Sequence, residues 1–159
     1  MEKLELKHLA PYLPYGLKMC ERIKRINEKT LEEYEMSYGQ GEIFSYIGST
    51  TPYIIWDNGR NGTQKTFLSS FTSDKAYKLL LRPLSDLTKE IEHNERTFVP
   101  YESKILVDFM TITEEMDCLY ESSHDISKDY QMPYYIIEQL IAWHFDVFGL
   151  LYAGLAIKK

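Results

Sequence analysis

The sequence predicts an α+β fold: a largely antiparallel β-sheet from the N-terminal half, packed by a long C-terminal helix and shorter helices. Three observations predict it. Residues 16–81 run in short β-prone segments separated by Gly, Pro and Asn, the punctuation of strands and tight turns. From residue 84 onward apolar residues recur at three- and four-residue spacing, the period of a helix face. Strands grouped first and helices afterwards favour an antiparallel sheet over alternating βαβ units. With 159 residues and no linker or repeat, the chain reads as a single α+β domain, 1–159.

Leu6, Leu9, Tyr12 and Leu13 predict one amphipathic turn or two, kept short by Pro11 and Pro14. Tyr15-Gly16 then turns into a strand over 16–27, with Leu17 and Met19 followed by Ile23 and Ile26 and an apolar phase break between the last two, the mark of a bulge or an early end. Thr30 to Tyr38 fits a helix in its first half and a strand in its second. The segment Gly39-Gln40-Gly41 reads as a turn, and Glu42 to Ile47 as a strand. Tyr53-Ile54-Ile55-Trp56 is a further strand, followed by a loop with two Asn-Gly steps at 58–59 and 61–62, where positive φ comes readily.

Two more strands are expected at Thr66–Phe71 and Ala76–Leu81, then a short helix at Asp86–Ile91 with Ser85 and Asp86 as capping oxygens. His93-Asn94 ends that helix, and Thr97–Val99 is a brief strand stopped by Pro100. Ser103 to Tyr120 keeps helical spacing, weakened by the β-branched run at 111–113. Ser122 to Gln131 is a polar loop. In the last helix Ile136/Ile137, Leu140/Ile141, His144 and Val147/Phe148 share a face, Pro133 suits the first turn and Gly149 the C′ position. Only Glu138, Gln139 and Asp146 are plainly polar in it, so it is expected to be the buried spine. An apolar turn and terminal strand or tail follow.

Composition narrows the function classes. An apolar fraction of 44% and a charged fraction of 26% are those of a soluble globular chain. The 13 tyrosines are in excess, and a ring with a polar tip suits half-buried strands and binding surfaces. The net charge of −6 is uneven: residues 1–85 carry 12 Lys/Arg and 10 Asp/Glu, leaving 6 and 14 of the chain's 18 and 24 for residues 86–159. An acidic second half argues against nucleic acid as a partner, since phosphate binding draws on clustered basic residues. The basic group from Lys18 to Lys29 is diluted by Glu21 and Glu28 and reads as a solvated strand face. No apolar stretch is long enough to span a membrane, and residues 1–7 lack the apolar run of a signal peptide. The expected location is the cytoplasm, with Cys20 and Cys118 as reduced thiols.

Catalytic motifs are missing. The four histidines, His8, His93, His124 and His144, have no metal-ligand spacing, and His144 reads as a hydrogen-bonded core residue. There is no Gly-x-Ser-x-Gly elbow and no phosphate-binding glycine loop. No catalytic residue, metal or cofactor is therefore expected. A binding reading has material: Tyr53, Trp56, Asn58 and Arg60 bring aromatic, amide and guanidinium groups to one strand and its loop, with Arg82 as a further cation. Such groups can stack on a base and bond its edges. A hairpin with cross-strand aromatic packing would use the same residues.

Three blocks carry a resemblance. His8-Leu9-Ala10-Pro11-Tyr12-Leu13-Pro14-Tyr15-Gly16-Leu17-Lys18, then Leu81-Arg82-Pro83-Leu84-Ser85-Asp86-Leu87-Thr88-Lys89-Glu90-Ile91, then Trp143-His144-Phe145-Asp146-Val147-Phe148-Gly149-Leu150 with Gly154-Leu155-Ala156-Ile157, stand in the same order as in a family they resemble. It is a family of small uncharacterised proteins from Bacteroidetes genomes, prophages and phages. Glu95 departs from the Gly that the family often has after Asn94. The resemblance implies phage or mobile-element origin and action in the host cell cytoplasm, and it carries over no site residue.

The expectation is thus a non-enzymatic binding protein with a protein or small-molecule partner, such as a nucleotide signal used in host defence. The alternatives are a small phage enzyme of nuclease or phosphoesterase type, built on a metal or a histidine pair, and a virion assembly protein. A homo-oligomer is compatible with each.

Overall fold

The computed structural model describes residues 4–26, 30, 33–48, 52–57, 59–71, 77–112 and 132–159. The elements are α1 (Leu6–Leu9), β1 (Lys18–Ile26), β2 (Glu33–Ile47), β3 (Tyr53–Asp57), β4 (Thr63–Phe67), β5 (Tyr77–Leu81), β6 (Ile91–His93) and β7 (Arg96–Phe98). They are followed by α2 (Lys104–Ile112), α3 (Tyr134–Ala142) and β8 (Ala156–Lys158). A mixed six-stranded sheet, in the order β4-β3-β2-β1-β5-β8, and a two-stranded sheet β6-β7 make the fold α+β. The chain divides into two compact units, Met1–Leu80 with Ala153–Ile157 and Leu81–Tyr152 with Lys158–Lys159. Among the described residues, no helix is long and apolar enough to cross a membrane.

In the first unit, Gly16 at φ +70° ends the 3₁₀ turn Leu13–Tyr15 and sends the chain into β1. β1 pairs antiparallel with β2, and the register slips between Glu21, opposite Gly39, and Arg22, opposite Ser37. Tyr38 is the extra residue, so the bulge lies on β2 and not on the 16–27 strand expected to carry a bulge or an early end. The expected turn at Gly39-Gln40-Gly41 is corrected: all three lie inside β2, paired with Glu21, Cys20 and Met19. Glycine inside a strand commonly marks a bulge, and Gly39 stands next to the extra residue Tyr38. A Cβ at Gly59 would meet the Gln40 carbonyl at 3.1 Å. The 3–4 loop turns on Gly59 and Gly62, at φ +70° and +73°, and Asp57 Oδ1 accepts the Gly59 N–H at 2.8 Å.

β3 alternates as its sequence demands: Ile54 and Trp56 are buried, while Tyr53, Ile55 and Asp57 are half-exposed. β4 starts at Thr63 and stops at Phe67, and Leu68–Ser70 is a 3₁₀ turn rather than the end of a strand. Buried side chains of this unit include Leu9, Leu17, Met19, Ile43 and Leu79, and burying each large apolar group is worth about 1.5–3 kcal/mol.

The second unit departs further from expectation. The helix expected at Asp86–Ile91 is absent: Asp86, Leu87 and Lys89 donate N–H groups to residues three back, the 3₁₀ pattern, and Ile91 opens β6. The Asp86 carboxylate caps no helix because it binds Lys89 and Lys158. α3 is also shorter than the long helix expected to run to Gly149. His144, at φ +63°, donates its N–H to Ile141 O, and Phe145 donates to Leu140 O, both at 2.9 Å. That pair of bonds is a Schellman stop with histidine at the position usually held by glycine. Downstream, buried Asp146 takes the Leu150 and Leu151 N–H groups at 2.9 and 2.7 Å and holds a compact turn. The second half of the expected Ser103–Tyr120 helix and the Ser122–Gln131 loop lie outside the described residues, as do Cys118 and His124.

Candidate functional site

Arg82 organises the second unit's polar interior. Its N–H donates to His144 O and its carbonyl accepts the Asp146 N–H, both at 2.8 Å, so the backbone forms a parallel bridge with Phe145. Its guanidinium donates to Trp143 O at 2.8 Å and Glu92 O at 2.7 Å. One buried side chain thus ties β6 to the turn that follows α3. Both acceptors are neutral carbonyls, which satisfy donors without cancelling charge. Burial lowers the Arg82 guanidinium's pKa, against the charge of Asp86. Burial alone would raise the Asp86 carboxyl, but hydrogen bonds and charge from Lys158 and Lys89 hold it below its ordinary value.

Around this hub stand two histidines and a second cation. The His93 and His144 rings meet edge to face with centroids 5.7 Å apart. Lys159 Nζ lies 3.0 Å from His144 Nδ1. An ammonium can only donate, so Nδ1 accepts and the ring proton sits on Nε2. Burial, then the charges of Lys159 and Arg82, push the half-buried His93 below its ordinary value of 6.5. His93 pairs with Arg96 across the β6–β7 hairpin, whose turn is Asn94-Glu95 with φ of +49° and +61°. Two successive left-handed residues match the tight twisted turn that hairpins favour.

An open cleft of about 900 Å³ lies against this hairpin, lined by His93, Asn94, Arg96, Thr97, Phe98, Ser103 and Trp143. Its size is that of a small-molecule site. Phe98 and Trp143 form its aromatic wall, ring centroids 5.3 Å apart. Among the described residues, the positive-φ positions other than glycine are Asn94, Glu95 and His144, all at or beside this cleft. Such strained positions concentrate at functional sites. The described residues bring no group of three His, Cys, Asp or Glu together to hold a metal. Chemically, the cleft offers two aromatic rings tilted by 59° to one another beside hydroxyl, amide and cationic donors, which suits an anion carrying a ring.

The residues singled out from sequence fall elsewhere, apart from Arg82. Trp56 is 1% exposed, and its indole N–H donates to Thr66 Oγ1 at 3.0 Å. Its ring also meets Tyr77 edge-on, so in this arrangement it serves the core. Tyr53 faces the opposite side of the sheet, with Lys65 Nζ 3.7 Å above its ring and Phe67 edge-on. Arg60 is exposed in the loop after β3, and Asn58 lies outside the described residues. His93, Arg96, Phe98 and Trp143 were not legible as a set. The available signal was Asn94-Glu95 between two β-prone runs, which the preceding helical spacing obscured.

No family model, no curated protein and no solved structure matches the chain.

Proposed function

We propose that this is a phage-type binding protein that holds a small anionic molecule with a flat ring, such as a nucleotide signal, in the cleft of its second unit. The observation that carries the reading is the meeting there of the Phe98–Trp143 aromatic pair with the Arg96 guanidinium, beside the left-handed hairpin turn at Asn94 and Glu95. Strain of about 1–3 kcal/mol at each such position is retained when the surrounding structure needs the geometry. Arg82 supports the site from behind. The resemblance to phage proteins supports action in a host cytoplasm. Incubation with a nucleotide panel, followed by denaturation and mass analysis, tests it: the ligand should be recovered intact, at one per chain. Recovery of a converted product would refute it.

The His93–His144 pair favours one alternative, an enzyme of nuclease or phosphoesterase type working without a metal. That reading predicts turnover insensitive to EDTA and abolished in His93→Gln, whereas a binding protein gives no turnover in either case.

A further inference from the structure

We infer that the His93–Arg96 end of the cleft is a subsite for a phosphate monoester, and that filling it places a proton on His93. The inference rests on the small-molecule reading above. Cross-strand partners project from one face of a two-stranded sheet, so His93 and Arg96 flank the hairpin turn on the same side. Among the described residues the exposed Arg96 guanidinium has no ion-pair partner, and its fork matches two phosphate oxygens. Asn94, Thr97 and Ser103 add neutral polar groups along the same lining. The rings of Phe98 and Trp143, tilted by 59° to one another, give the rest of the ligand an apolar wall.

The groups that face His93 make the proton step specific. Lys159 and Arg82 act on it as cations, and the His144 ring lies against it. Arg96 stands across the strand pair, while Asp86 reaches the set through Arg82 and is shared with Lys89 and Lys158. In this mostly cationic setting the empty site favours a neutral imidazole, with one ring donor. A phosphate monoester brings close to two negative charges near neutral pH. It offsets the repulsion, so His93 takes a proton from solvent and both ring nitrogens become donors. A ligand without the phosphate cannot do this.

Titration calorimetry with adenosine monophosphate and adenosine, in two buffers of different ionisation enthalpy, tests the subsite. The monophosphate should bind at least roughly tenfold tighter than the nucleoside, and Arg96→Ala should remove that advantage, as loss of charge-assisted bonds requires. Binding should take up protons in the wild type, and His93→Gln should abolish the uptake while retaining weaker binding. Equal affinity for both probes would overturn the phosphate subsite and leave the small-molecule reading standing. Proton uptake undiminished in His93→Gln would overturn the assignment of the proton. Failure of both probes to bind would also overturn the subsite, and the broader reading then stands or falls on what the natively purified protein releases.

Discussion

The rings of His93 and His144 meet at 5.7 Å because two turns built without glycine aim them at each other. One is the Asn94-Glu95 hairpin turn, the other the Schellman stop at the end of α3. Glycine at residue 144 would make the stop easier but would supply no ring.

The first prediction concerns pH. His93 has a folded pKa below 6.5, so on acidification the unfolded chain takes up a proton before the folded ring does. The stability linked to the neutral ring is fully present above the unfolded value and is lost as the pH falls through the folded one. Thermal melts between about pH 7 and about pH 5 should show a steeper loss for the wild type than for His93→Gln. Parallel curves would contradict the lowered pKa.

Glu95 bears a backbone conformation that costs an L-residue roughly 1–2 kcal/mol. Glycine there loses more entropy on folding, roughly 0.5–1 kcal/mol. Glu95→Gly should therefore stabilise the protein by about 0.5–1 kcal/mol, read as a higher urea midpoint at unchanged slope. A lower midpoint would show that the Glu95 side chain contributes more than its strain costs.

Asp146 is buried, yet its two oxygens hold the Leu150 and Leu151 N–H groups. Burial pushes its carboxyl up, and hydrogen bonds from Leu151, Leu150, Phe148 and Gly149 oppose the shift. Removing the acceptor leaves these donors without it, so Asp146→Ala should cost about 1–3 kcal/mol in denaturant unfolding. Asp146→Asn, with one acceptor oxygen, should fall between that variant and the wild type.

Leu140 is fully buried and supplies the carbonyl that accepts the Phe145 N–H in the α3 stop. Leu140→Asp would bury an unpaired carboxylate, and a loss of more than about 4 kcal/mol is expected. A cooperative melt near the wild-type temperature would remove α3 from the core.

Much of the sheet was legible because its signals are local. The two Asn-Gly steps marked the loop after Trp56, whereas the β2 bulge at Tyr38 had no signal in the apolar phase of β1. Gly39 and Gly41 misled because glycine serves turns and bulges alike, and only pairing with β1 decides between them. His144, Val147 and Phe148 keep helical spacing although α3 stops at Ala142, so the end of the last helix is hidden in the sequence. The stop depends on a left-handed histidine and on Arg82 bonding to residues 144–146, which lie far away in sequence. The candidate site is non-local in the same way. His93 and Arg96 come from a hairpin, Trp143 from a helix end, and no spacing rule links them.

The most direct test of a ligand in the second unit's cleft is the mass of what the protein carries. Native mass spectrometry of gently purified wild type should give a complex heavier than the chain, and denaturation should release one small anionic molecule per chain. Arg96→Ala should come away empty, and Arg60→Ala in the exposed loop of the first unit should remain loaded. A wild-type chain that is empty and stays empty when incubated with host metabolite extract would contradict the account.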